Sequence, residues 1–258
     1  MILSVPQLQV FMLVLARVTG VFVEVPIFSD RTINRSARLA LIFWVSFVLW
    51  TVTPFQGAAL PTNNLLFGLV LIKEAFVGFT IGLIVKLIFS GIEAGGELIG
   101  SQMGLSVATI LNPASGSQQV VVTQLLRFLV ITIFLAMDGH HLILEALFRS
   151  YSAVSMVTGN LNFPDSGIQV LRVGGELFKI ALSIATPIML VIFLLDFAFG
   201  MVARVAPQVN IFQLGFQLKP SLGMFIMLLT LPFLVDRITV YLGLTIEEIA
   251  RMYQAFNP

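Results

Sequence analysis

Apolar residues along this chain gather into about six runs, at roughly 8–28, 39–55, 65–90, 120–137, 180–203 and 221–242. A helix that crosses a bilayer needs about 20 predominantly apolar residues, so each run predicts a membrane helix or part of one. Few of the runs are clean. Arg17 and Glu24 interrupt the first, Lys73, Glu74 and Lys86 the third, Arg127 the fourth, Asp196 the fifth, and Asp236 with Arg237 the sixth. Only 39–55, LALIFWVSFVLWTVTPF, is free of charge, and it is short and closed by Pro54.

Composition turns that pattern into a class. Of 258 residues, 58% are hydrophobic and 10% charged, against about 25% charged in soluble domains. The expected fold is an all-α polytopic membrane protein. A net charge of +1 leaves no electrostatic footprint for nucleic acid, and the absence of cysteine excludes disulfides, thiolate nucleophiles and thiolate metal sites. No cation precedes Arg17, so the N-terminal stretch lacks the charged region of a cleaved signal peptide and is expected to stay in the mature protein.

An ionisable group at the bilayer centre costs roughly 2.5–3.5 kcal/mol on insertion scales. Snorkelling from helix ends accounts for Lys86, Asp236 and Arg237. It accounts less well for Arg17, Arg127 and Asp196, which predict helices packed inside a larger helical assembly. The loop SDRTINRSAR (29–38) holds three arginines against one aspartate, and PFQGAALPTNN (54–64) holds no charge. The positive-inside tendency makes the first cytoplasmic and the second external. Strict alternation then makes the 203–220 connection cytoplasmic and both termini external. Glu93 and Glu97, the only charges of 91–119, oppose that simple topology.

Four stretches are candidates for function. In GIEAGGELIGSQMGLS (91–106), Gly96, Gly100 and Gly104 form a small-xxx-small ladder with Glu93 and Glu97 on the same side of a helix. Gly78 and Gly82 repeat the spacing earlier. Ordinary close helix packing and a polar seam beside a path through an assembly both fit. LSVATILNPASGSQQV (105–120) has no charge, a helix-unfriendly Asn112-Pro113 and a small-residue run that includes Ser115 and Gly116. It reads as a loop. Its neutral mix, with Leu105, Ile110, Leu111 and Gln118, suits non-helical backbone lodged in a pore or buried in protein.

In AMDGHHLILEALFRSYS (136–152), His141 and Glu145 lie four apart, but two ligands on one turn are not a site and no HExxH occurs. A turn at Asp138-Gly139 leading into an interfacial helix is the preferred reading, and no metal or cofactor is expected. Neither a phosphate loop nor a nucleophile–base pair is visible, so catalysis finds no support. The fourth stretch, ARVAPQVNIFQLGFQLKP (203–220), sits between two apolar runs. Val205, Val209, Phe212 and Phe216 recur at helical spacing beside the amides Asn210, Gln213 and Gln217. Pro207 suits a first helical turn, Gly215 breaks or crowds that helix, and Arg204 and Lys219 stand at the ends. Amides bond in both directions without the desolvation cost of charge, so the stretch suits a protein interface near the membrane; a plain amphipathic connector is the alternative.

These residues resemble the FliR family, core membrane subunits of the flagellar type III export apparatus with counterparts in virulence injectisomes. The resemblance runs over essentially the whole chain. It includes Arg17, Gly20, Pro26, Phe28 and Arg38, then Lys73-Glu74, GELIGSQMGLS (96–106) and Asn112-Pro113, and most specifically APQVNIFQLGFQLK (206–219). It implies two parts: 1–152, whose segment 128–152 is similar to the close of FliP, and 153–258, whose residues 170–242 resemble the FliQ hairpin. It implies helical hairpins in a hetero-oligomeric ring with FliP and FliQ homologues, FlhB and FlhA nearby, in the bacterial inner membrane at the flagellar basal body. Unfolded export substrates would pass through the ring, residues 105–120 would match the plug loop that closes it, and the 206–219 tip would contact neighbours. An injectisome export-gate counterpart is the alternative within the family; a self-contained secondary transporter is the alternative class, but no convincing internal repeat supports it; a membrane enzyme is the third.

Overall fold

The computed structural model describes residues 4–30, 33–53, 60–61, 63–106, 121–156 and 163–256. Among them there are nine helices and no strand: α1 (Val5–Glu24), α2 (Pro26–Ser29), α3 (Arg35–Val52), α4 (Asn64–Gln102), α5 (Val121–Ala136), α6 (Gly139–Ala153), α7 (Phe163–Val205), α8 (Ile211–Leu229) and α9 (Leu231–Phe256). Five are long and apolar enough to span a membrane (α1, α3, α4, α7 and α8), and a sixth span exists if α5 and α6 count as one broken helix. The protein is an all-α polytopic membrane protein.

Local chemistry sets several ends. The Gln7 side chain accepts a hydrogen bond from the Ser4 N–H at 3.0 Å, and Pro6 lies in the first turn of α1, where a missing N–H costs nothing. Asn34 caps α3 by accepting from the Ser36 N–H. The sixth apolar run divides rather than forming one helix at 221–242. It breaks at Thr230, where Pro232 lacks the N–H that would continue α8, and the span is Ile211–Leu229. The connection before it is correspondingly short: α7 runs to Val205 and α8 starts at Ile211, so Pro207 lies in the turn and not in a helix.

The chain folds as two compact units, one of residues 1–87, 138–174 and 244–258 and the other of 88–137 and 175–243. Each draws on both halves of the sequence. In the first, α1 buries Val10, Leu13, Val14, Arg17, Val18, Val21 and Phe22, a helical three-and-four spacing. The α1 and early α4 backbones meet at glycines: a Cβ on Gly20 would lie 2.6 Å from the Phe79 nitrogen, and one on Gly78 would overlap the Arg17 carbonyl. Phe11 meets the rings of Phe43 and Trp50 edge-on across α1 and α3.

In the second unit, the end of α4 is packed on two sides. A Cβ on Gly91 or Gly95 would come within 3.1 Å of α7 carbonyls at Leu177 and Ala181, and one on Gly96 within 2.8 Å of Thr123 Cα on α5. The glycine ladder therefore begins earlier than the 96–100–104 register and ends earlier too. Gly96 and Gly100 are buried in α4, but Gly104 lies beyond it at φ +78°, a left-handed helix stop. There the Leu105 N–H donates to the Gly100 carbonyl and the Gly104 N–H to that of Ser101, both at 3.0 Å.

Gly78→Ala is expected to lower stability by about 1–3 kcal/mol through overpacking, seen as a reduced melting temperature in detergent. Gly68→Ala on the same helix meets nothing within 4 Å and should leave the melting temperature unchanged or raise it.

Candidate functional site

Each charge that snorkelling explained poorly has a partner within this chain. Arg17 Nε donates to Glu74 Oε2 at 2.6 Å, and neither side chain has any exposed surface. Arg17 also donates to Ser150 Oγ at 2.9 Å and to the Val154 carbonyl at 3.1 Å, with its guanidinium 4.3 Å from the centre of the Tyr151 ring. One arginine of α1 thus satisfies groups on α4, on α6 and just beyond α6. The neighbouring Lys73 reaches the carbonyls of Ser155 and Met156 at 2.9 and 3.1 Å, and Lys86 bonds Glu24 at 2.7 Å.

In the second unit, Arg127 on α5 faces Glu93 on α4 at 3.6 Å, while Glu97 is exposed. Lys219 on α8 pairs with Asp196 on α7 at 2.5 Å. This pair borders a cavity of about 290 Å³ lined by Met103, Gly104, Phe199, Phe212, Gly215 and Phe216, among others. Gly223 of α8 admits Met103, whose Cγ would lie 2.8 Å from a Cβ there. Two sequence-distant candidates thus come together: Met103 and Gly104, immediately before 105–120, and the α8 end of the 203–220 stretch.

The remaining candidates are placed as follows. Arg204 and Pro207 are exposed at the end of α7 and in the turn. Asn210 caps α8, accepting from the Gln213 N–H at 3.1 Å. Phe212 and Gln213 are exposed, and Gly215 is buried. Leu105 is half-buried; Ile110, Leu111, Asn112, Pro113, Ser115, Gly116 and Gln118 lie outside the described residues. Sequence reasoning missed the pairing of Arg17 with Glu74 and of Asp196 with Lys219. For the first pair a signal was there: Arg17 and Glu74 are opposite charges, one in each of two apolar runs. It also missed Gly91 and Gly95, which share the four-residue spacing.

These features define a helical membrane protein in which several charges of the apolar helices are paired within its own fold. The chain belongs to the family described as bacterial export proteins, family 1, which matches residues 8–244. Similar proteins include the flagellar biosynthetic protein FliR of Pectobacterium carotovorum subsp. carotovorum, 31% identical over 84% of this chain and 82% of that protein. FliR of Bacillus subtilis (strain 168) is 26% identical over 94% of this chain and 93% of its own length. FliR of Escherichia coli (strain K12) is 28% identical over 84% and 82%.

Arg17→Met alone leaves Glu74 buried without a counter-charge and is expected to cost about 3–5 kcal/mol. Arg17→Met with Glu74→Leu should regain most of that. Melting temperature and folded yield in detergent check both; a double variant no better than the single one would locate Arg17's role elsewhere.

Proposed function

We propose that this chain is a core subunit of the flagellar type III protein export gate, forming part of the channel through which unfolded flagellar proteins leave the cytoplasm. The observation that carries this reading is the convergence in the second unit: α4 stops at Gly104 beside the α8 residues Phe212, Gly215, Phe216 and Lys219. The chain thus enters 105–120 from beside the end of a helical hairpin, a suitable root for a channel-closing loop. In this reading 105–120 is the plug, and it belongs to a conduit and gate rather than to a pump or an enzyme. A gate needs two arrangements separated by only a few kcal/mol, which a neutral Gly-Ser segment permits.

Exposed apolar surface supports a partnered state. Only 11% of the α3 window and 17% of the α8 window are buried within the chain, which leaves whole helix faces to lipid or to neighbours. FliP and FliQ homologues are the proposed ring neighbours, with FlhB and FlhA nearby, in the inner membrane at the basal body. Residues 1–152 would take a FliP-like place and 153–258 a FliQ-like one. The exposed Phe212 and Gln213 are the proposed contacts of the tip. Asn210 and Lys219 instead hold the tip's own structure, through the cap and the Asp196 pair.

Native mass spectrometry of the chain expressed with its neighbouring membrane genes should find it inside a heteromeric complex; a stable lone monomer would end the ring reading. Deleting Ala114–Ser117 should leave that complex assembled but make it leak ions or small molecules. Unchanged permeability of an assembled complex would count against the plug. Phe212→Ala should weaken recovery of partner subunits about tenfold, equivalent to about 1.4 kcal/mol, without lowering the melting temperature of the chain.

A further inference from the structure

The bend before α6 carries the sequence Met-Asp-Gly-His-His (137–141). Among the described residues Asp138 is the only non-glycine at positive φ, +56°, and it precedes the first turn of α6. Its Oδ1 lies 3.5 Å from His141 Nδ1, too far for a good hydrogen bond. The rings of His140 and His141 stand 4.2 Å apart, centre to centre. One ligand atom from each of Asp138, His140 and His141 lies within 4.8 Å of the others. Glu145, the residue that sequence spacing sets beside His141, is instead bonded to Arg149 at 2.6 Å. Separately, His140 Nδ1 is shielded from solvent with no hydrogen-bond partner, a nitrogen whose bonding capacity the protein leaves unused.

Ligand atoms that share one ion at about 2.0–2.2 Å sit roughly 3–3.5 Å from each other. Asp138 Oδ1 and His141 Nδ1, at 3.5 Å, already stand near that spacing, and both side chains are exposed enough to rotate and close the remaining gaps. Two imidazoles with one carboxylate select a borderline transition-metal dication over magnesium or calcium, which take oxygen ligands. The N-terminal end of a helix disfavours a cation, so the Asp138 carboxylate has to supply the compensating charge. We propose that Asp138, His140 and His141 form a site for a Zn²⁺-class dication that pins the first turn of α6, with remaining positions open to water. The inference stands on this cluster alone and does not rest on the export reading.

The test uses the full chain, carrying a non-histidine tag and purified in detergent with whatever subunits accompany it, stripped by a chelator. Titration calorimetry with Zn²⁺ should give one equivalent, and one equivalent of Cu²⁺ should show nitrogen coupling from two imidazoles in its EPR spectrum. Asp138→Asn keeps a residue that tolerates the left-handed conformation but removes the charge, and His141→Ala removes an exposed ligand. Each should weaken Zn²⁺ binding at least tenfold without changing the metal-free melting temperature, whereas Glu145→Gln should not weaken it. Unsaturable binding, equal affinity in the Asp138 and His141 variants, or a Cu²⁺ spectrum without nitrogen coupling in the unaltered chain would each overturn the site.

Discussion

A guanidinium and a carboxylate 2.6 Å apart with no exposed surface constrain how the first unit can be built. Neither charge can be left alone in an apolar interior, where the cost of desolvation exceeds what most packing returns. Arg17 therefore requires α1 to be seated against α4 at Glu74 and against α6 at Ser150 together. The glycines make that seating possible. Without side chains at Gly20 and Gly78, the two backbones approach until the Arg17 carbonyl occupies the space a Cβ at 78 would fill. Electrostatics chooses which helices meet; small residues set how closely. In an environment where apolar surface gives no driving force between helices, the two effects carry association together.

Length adds a second constraint. At 1.5 Å per residue, a straight helix of 39 residues such as α4 is roughly 58 Å long. Tilted by about 40°, the upper end of the common range, it still projects roughly 45 Å across a hydrocarbon layer about 30 Å thick. The 43-residue α7 exceeds the layer by more. A straight helix of such length must leave the lipid at one end or be sheltered there by protein, and both α4 and α7 carry charge along their length. The ion pairs of Glu93 with Arg127 and of Asp196 with Lys219 lower the cost of carrying those particular charges on the long helices.

Much of this was legible in the sequence, because apolar runs and their charged interruptions are local signals. The runs at 8–28, 39–55 and 120–137 correspond to α1, α3 and α5 within a few residues. What was not legible was non-local. That Asp196 meets Lys219 depends on a turn of only five residues, whereas the sequence set Lys219 at the end of a longer 203–220 connection. The three-glycine register read Gly104 as helical, because spacing alone does not distinguish a packing glycine from a stop in the left-handed conformation. The run at 221–242 looked continuous because a single proline among many aliphatic and aromatic residues hardly lowers its hydropathy, although Pro232 ends a helix by geometry. Four-residue spacing set Glu145 beside His141, whereas the ligand atoms that lie together belong to Asp138, His140 and His141 around the turn.

Internal neutralisation also shapes what is left outside. With Arg17, Lys86, Arg127 and Asp196 engaged within the chain, the exposed flanks of the long helices present apolar side chains such as Phe193, Leu194 and Phe197 on α7 and Phe225, Leu228 and Leu229 on α8. Such flanks offer a neighbour little to distinguish them from lipid. Discrimination must then come from shape and from polar groups at helix ends, where the amides and aromatics that open α8 lie. A stretch that bears amides instead of charges there can bond to a neighbour without first stripping water from an ion. If neighbours dock at that tip as proposed, this is the physical reason the α7–α8 turn is chemically unlike an ordinary membrane loop.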